Sequence, residues 1–493
     1  FLWQRSDRPC WRWRPIDENQ RSLGGMIMIP DDALERLLES AHAIGAVCEQ
    51  ANVQQWEVYG TQDYGHSLEI EAGRISMASG GGEGGFGIRI VEDGRYGYAH
   101  LVDPASAARA IEQALGIAKR SPAIEGFELP VNEAASKVGG MKDKAILDMG
   151  PEDLLEQGDD ILTRVAELDS RAVAVGGGVG VSAGAGAIVT SNGIEDGGVH
   201  TSHGVGIHVS IDEDDDLTSS YEGESSRYLL KDMTASVDKA IHWSQITRDK
   251  IPGGETEDCP VLMTSDGFAP LFSVVVPTAI KGERLARGES FWSGKMNQMV
   301  MASHLSLVDD GLMEGGMSSG SRDDEGVPSR TQTLVESGRL NGEIWATRDA
   351  AKLVAEGKVS SAKSTGSASR GGHTSPPICG CSDLILSSSA KSMSRERLIE
   401  EMDRGYIVHS VMGAHTANPT SGDFSVTTST ILRVEGGQIV GSLSQAGLSG
   451  NLAKALAGRV VLGEPSKRKG SYSTGSMHVP DVLLMDGLRI NPA

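Results

Sequence analysis

Apolar residues at Leu34, Leu37, Leu38, Ala41 and Ile44 recur at helical spacing behind Pro30, so residues 31–50 are predicted to form an amphipathic helix. From Trp56 to Ala99 the period drops to two, in Glu57-Val58-Tyr59, in Ser67-Leu68-Glu69-Ile70 and in the run 86–91, so strands replace the helix. Turns fall at Ala72-Gly73 and at Glu92-Asp93-Gly94-Arg95. Asp103 then caps a helix with Pro104 at its first position, running to about Lys119.

A second cycle follows. Residues 151–168 are predicted helical, the Gly-rich and β-branched stretch 172–211 contains several short strands broken at Ser191-Asn192-Gly193, and 225–246 is helical again. The polar, Gly- and acid-rich segment 252–258 marks a domain boundary. Beyond it, Val335 to Leu340 and Val434 to Ile439 each set a Gly-containing turn between apolar strands, which is recurrent hairpin chemistry and not a tandem repeat. Helices are expected at 268–281, at 395–403 with Ser394 as N-cap and Gly405 as stop, and at 448–456. The predicted class is α+β: two-layer α/β domains at 29–130 and 145–250, then a β-rich, barrel- or sandwich-like domain at 256–493.

Composition agrees. Gly makes up 63 of 493 residues and aromatics only 4%, which favours turns and strands over long helical bundles. A formal charge of -22 disfavours binding to nucleic acid, whose phosphates require Lys and Arg. Five scattered cysteines without a CxxC pair argue against a disulfide framework, and no run is long and apolar enough for a membrane span, so a cytoplasmic protein is expected. Residues 1–28, with Trp3, Trp11 and Trp13 among arginines and no period, are expected to be a disordered extension or a misplaced start.

Several constellations compete for chemistry. The acidic run 212–216 lacks the spacing and Gly of an EF-hand loop and reads as a solvated loop. On one strand His200 and His208 share a face about 26 Å apart while His203 points the other way, so a metal there requires the chain to fold back at Gly204 or Gly206. His373 with Cys379 and Cys381 offers soft ligands but only one C-x-C, and buried inert thiols are commoner. Asp323, Asp324 and Glu325 could as paired carboxylates do acid/base work but, with no nucleophile or metal identified, read as loop or interface structure, with Asp324 and Glu325 as candidate peptide or interface residues.

Motifs in fixed order carry a family resemblance. Gly85-Phe86-Gly87-Ile88-Arg89, Arg95-Tyr96-Gly97-Tyr98-Ala99, Asp323-Asp324-Glu325-Gly326-Val327-Pro328, Lys363-Ser364-Thr365-Gly366 and Asp403-Arg404-Gly405-Tyr406 belong to the set. So do Met412-Gly413-Ala414-His415-Thr416-Ala417-Asn418-Pro419 and Ser421-Gly422-Asp423-Phe424-Ser425. Together they resemble the TldD/PmbA family, once named modulators of DNA gyrase, on its PmbA/TldE side. His415, Asn418 and Asp423 are accordingly candidate peptide or interface residues, beside the reading that they hold a tight loop.

The resemblance implies that TldD-type members carry HExxxH on a helix, with two zinc-binding histidines, a water-activating glutamate and a further cysteine ligand near the C-terminus. Counting back from Phe291-Trp292-Ser293-Gly294, the six positions fall on Ser273, Val274, Val275, Val276, Pro277 and Thr278. Ser273 and Thr278 replace the histidines and Val274 the glutamate, Pro277 suits a helix poorly, and the cysteine's place falls within 463–469, where there is none. The chain is therefore expected to have no catalytic residues and no cofactor of its own, with zinc held by a TldD-type partner in a heterodimer acting on unstructured peptides. A homodimer stays open. So do an independent hydrolase using His373, Cys379 and Cys381, and a protein-binding regulator of DNA gyrase.

Overall fold

In the computed structural model of the chain, the described residues are 29–213, 216–465, 470–472 and 475–492. The extension 1–28 and Asp214 and Asp215 of the acidic run lie outside them.

The first cycle is α1 (Ala33–Gln50), β1 (Gln55–Glu71), β2 (Arg74–Glu92), β3 (Arg95–Leu101) and α2 (Ala107–Ala118), with Asp103 capping a short 3-10 turn ahead of α2. After the one-turn helix α3 (Lys144–Leu147) the order repeats as α4 (Pro151–Leu168), β4 (Ala172–Thr190), β5 (Glu195–Glu213), β6 (Asp216–Ser226) and α5 (Thr234–Ile246). The six strands form one antiparallel sheet in the order β3-β2-β1-β4-β5-β6, so the units expected at 29–130 and 145–250 are two halves of a single sheet. A pseudo-two-fold axis between β1 and β4 exchanges the halves and the two ends of the sheet.

The stretch expected as several short strands is two long ones, β4 and β5, paired along nearly their whole length. Glycine weakens an isolated strand, but a central strand with partners on both sides gains its ladder regardless. The turn residues behave as their chemistry demands: Ala72 (φ 50°) with Gly73 (φ 74°), Asp93 (φ 49°) with Gly94 (φ 70°), and Ser337 (φ 47°) with Gly338 (φ 76°) are two-residue loops with both φ positive.

Alternation along the strands sorts the two faces. Val58, Leu68, Ile70, Ile88, Ile90, Val205 and Ile207 point to the helices, where they bury against Leu37, Ile44, Ile111, Ile161 and Ile241. Each such side chain contributes about 1.5–3 kcal/mol of transfer free energy. Glu57, Arg89, Ser67 and Glu69 point to the opposite face, toward the C-terminal domain.

That domain opens with β7 (Glu257–Asp258), β8 (Val261–Met263) and the helix α6 (Ser265–Ala279). A nine-stranded sheet has β8 beside the strand Gly405–Met412, which pairs with Asp423–Glu435; a six-stranded sheet is built around Leu305–Asp310 and Asp383–Ser388. α6 is helical through both Pro270 and Pro277, against the expectation for Pro277. Burial of Phe268, Leu271, Phe272, Val275 and Val276 in the main core explains this, because tertiary packing offsets the lost N–H donors. Gly405 begins a strand, and the preceding helix (Arg395–Met402) ends instead at Asp403, which takes the positive φ of 57°.

Candidate functional site

The sheet meets the C-terminal domain in two different ways. Near the start of β1, the Arg89 guanidinium bonds Glu57 and, at 2.5 Å, Glu325. Arg370 bonds the other oxygen of Glu57, donates from its backbone N–H to Asp324 Oδ2 (2.7 Å), and lies 4.4 Å over the Tyr59 ring. Tyr59 donates to Asp324 Oδ1 at 3.1 Å, and the Thr347 N–H donates to Glu325 Oε2 at 2.8 Å. Burial pushes the Glu57 carboxyl up, but the charges of Arg370 and Arg89 more than offset it and hold it below its ordinary value. Asp323 accepts from the N–H groups of Glu325, Val327 and Ala368.

Asp324 and Glu325, candidates for peptide or interface contact, are thus members, half-buried and buried respectively, of an ion network that clasps the two parts of the chain together. Glu325 is 1% exposed, so it has no surface to offer a peptide here.

Toward the other end of the sheet the two parts separate, and a cleft of about 1420 Å³ lies between them. Its floor is the sheet face around Glu69, Gly176, Gly178, Gly180, Gly204 and Gly206. A Cβ on Gly176 would meet nothing within 4 Å, so the cleft is open there. The opposite wall is α6, through Asp266, Pro270, Ser273 and Val274, joined by His409 and the loop leading to His415.

Ser273 and Val274, expected in place of a zinc-binding histidine and a catalytic glutamate, therefore face the cleft, while Thr278 lies a turn further along and is not among the lining residues. Ser273 Oγ donates to the Pro270 carbonyl at 2.8 Å and Thr278 Oγ1 to the Val274 carbonyl at 3.3 Å. Both hydroxyls are turned onto the helix backbone, and valine carries no donor atom, so these residues do not fit zinc. Of the segment expected to replace the distal cysteine, 466–469 lie outside the described residues.

His415 is exposed at the cleft rim in a 3-10 turn. Asn418 Oδ1 accepts from the N–H groups of Thr420 and Ser421, and Asp423 accepts from Asn451 Nδ2 at 2.8 Å, so these two side chains fasten the adjoining loop.

The other histidines disperse. His200, His203 and His208 lie on the continuous strand β5 with no fold-back: His200 faces Asp63 at 3.3 Å, and His208 lines the cleft. Burial pushes His203 down to about 4, and its Nδ1 accepts from the Leu230 N–H at 3.0 Å. His373 sits 3.0 Å from Thr61 Oγ1, whereas Cys379 and Cys381 are in the main core, where burial raises both thiols.

Among the described residues the one group of three or more His, Cys, Asp or Glu side chains placed to hold a metal is Glu222, Asp266 and His409, whose ligand atoms all lie within 4.8 Å of one another. None of the three stands in a sequence motif. The available signals were weak: His409 interrupts the apolar run Tyr406-Ile407-Val408, and Asp266 falls in the first turn behind the N-cap Thr264.

Comparison with known proteins places this architecture. The model of the PmbA/TldA metallopeptidase C-terminal domain matches residues 256–490 and that of PmbA/TldA metallopeptidase domain 1 matches 56–118, together more than half of the chain. The chain belongs to the PmbA/TldD family. Within the family it is 25% identical over 439 residues to an uncharacterized protein of Methanocaldococcus jannaschii, covering 88% of this chain and 96% of that one. It is 22% identical over 471 residues to the metalloprotease PmbA of Escherichia coli O157:H7, covering 92% and 97%. The crystal structure of TldE from Thermococcus kodakarensis superposes with a TM-score of 0.81 at 25% identity, over 91% of this chain and all of that one. As a PmbA/TldE-type member with mixed helices and curled sheets, the chain has the class expected from its sequence. No helix among the described residues is long and apolar enough to cross a membrane.

Proposed function

We propose that this chain is the non-catalytic PmbA/TldE-type subunit of a TldD/TldE zinc metallopeptidase complex that degrades or matures unstructured peptides. The observation that carries the reading is α6: a buried helix presents its side to a cleft of peptide size, yet the positions that correspond to the zinc helix hold Ser273 and Val274 at the cleft and Thr278 a turn beyond it. A peptidase site needs a metal-activated water or a nucleophile with a base, and these side chains supply neither. The subunit's part is then to complete a cavity, with zinc belonging to a TldD-type partner.

The glycine-rich sheet floor supports the same reading, since it leaves room for an extended chain to lie along it. The test is purification of this chain alone, of the TldD-type protein from the same organism, and of the co-expressed pair. Hydrolysis of unfolded casein only by the pair, unchanged by Ser273→Ala and Thr278→Ala in this chain, is expected. Hydrolysis by this chain alone, or failure of the two to associate, overturns the proposal.

A further inference from the structure

We propose that Glu222, Asp266 and His409 form a divalent-cation site in the wall of the cleft, separate from the positions that correspond to the family's zinc helix. The three come from three elements: Glu222 from the edge strand β6, Asp266 from the first turn of α6, and His409 from the strand Gly405–Met412. A site of this kind therefore exists only where the sheet and the C-terminal domain meet.

The geometry is close to that of a ligand set. Donor atoms bonded at roughly 2.0–2.2 Å to one ion lie about 3–4.4 Å apart. Here His409 Nε2 and Glu222 Oε1 are 2.7 Å apart and no pair exceeds 4.8 Å, so side-chain adjustments of about 1 Å admit an ion. One imidazole with two carboxylates is a donor set for Zn²⁺ or Mn²⁺.

The surroundings orient the imidazole. Trp243 stacks on it at 3.8 Å with the planes 11° apart, and Thr264 Oγ1 lies 2.8 Å from Nδ1. Thr264 Oγ1, which also accepts the Gly267 N–H as the N-cap of α6, holds the ring at Nδ1 with Nε2 turned to Glu222, so Nε2 is the nitrogen that would take an ion once the proton shared with that carboxylate is displaced. Asp266 sits where the helix dipole favours its anionic form.

Charge points the same way. Arg395 is within electrostatic reach of Glu222 and Asp266 and gives its hydrogen bond to Asp481 at 2.7 Å, outside the cluster. Glu222 is 1% exposed and His409 3%, whereas Asp266 reaches the cleft, which leaves coordination positions open to water or to a substrate carboxylate on that side.

The proposal does not depend on the subunit role, and its test uses no peptidase activity. The full chain, stripped with chelator and dialysed, is titrated with Mn²⁺ alone under electron paramagnetic resonance and with Zn²⁺ alone by calorimetry. One saturable ion per chain is expected, weakened at least ~10-fold by Asp266→Asn and more by His409→Gln or Glu222→Gln, and unchanged by His373→Ala. The ion also raises the thermal midpoint of the wild type and not that of Asp266→Asn, a polar isostere that keeps the fold. No saturable binding, or binding indifferent to all three substitutions, overturns the site and leaves a His409–Glu222 hydrogen bond joining the two parts.

Discussion

The two ends of the N-terminal sheet are exchanged by its pseudo-symmetry, yet they meet the C-terminal domain in opposite ways. At one end Glu57, Arg89, Asp324, Glu325 and Arg370 fill the interface with paired charge; at the other, a glycine-rich floor leaves a cleft, open to solvent at Gly176. The two ends of one sheet thus become a fastening or an open cleft according to which side chains project from them. The fastening fixes the distance between sheet and α6, and the cleft uses that distance.

The sharpest way to break this contrast is at the fastening. Arg89→Met leaves Glu57 and Glu325 buried without that guanidinium and is expected to cost about 3–5 kcal/mol in urea unfolding. A loss below ~1 kcal/mol would show that the network is incidental to the interface.

At the open end the expectation reverses. Gly176→Trp projects a side chain into free space, so the unfolding midpoint should hardly move while the affinity of the assembled complex for an unfolded peptide falls at least ~10-fold, or about 1.4 kcal/mol, by fluorescence titration. An unchanged affinity would remove the floor from the binding surface.

Asp309, in the core of the C-terminal domain, sharpens the comparison from a third position, because it is a buried carboxyl with no cation bonded to it among the described residues. Burial pushes it up to about 7 from an ordinary 3.8. The native state then binds the proton more tightly than the unfolded chain, so this group lowers stability progressively as pH rises from about 4 to 7. Asp309→Asn should gain over the wild type across that window and keep a constant advantage above it, as read from midpoints at a series of pH values. Glu57 has the opposite sign: its depressed value supplies stability above its unfolded range, which is lost on acidification. The smallest effect is expected from Ser273→Ala, which removes one hydroxyl-to-carbonyl bond for about 0.5–1.5 kcal/mol and leaves the activity of the complex intact.

How far the sequence discloses this molecule depends on the range over which each feature is encoded. Helix α4 is legible to the residue because Pro151, its apolar spacing and the acidic first turn are all local. The hairpin turns are legible because positive φ selects Gly and its neighbours. The turn at Ser191-Asn192-Gly193 is legible, but the length of β4 and β5 on either side of it is hidden, since so many glycines suggest several short strands and only pairing with neighbours across the sheet sustains the long ones. The same cause hides the single sheet behind two predicted units.

The candidate site divides likewise. The position of Ser273, Val274 and Thr278 on a helix follows from counting along one segment. The fastening and the Glu222, Asp266, His409 cluster do not, because their members are brought together from separate elements, from about thirty to more than three hundred residues apart, and no local pattern marks them. Asp324 and Glu325 show the difference: as a loop of acids they are ambiguous, and only Arg89 and Arg370 decide their role.

The glycine floor has a last consequence, for selectivity. In the interior of a sheet the N–H and C=O groups lie in the plane and are spent on neighbouring strands, so over the glycines the floor presents peptide units and Cα hydrogens, while the side chains able to discriminate stand around them in Glu69, His208 and Tyr221. Under the proposed role the glycines would select a guest for being thin and straight, and any reading of its sequence would fall to that surround.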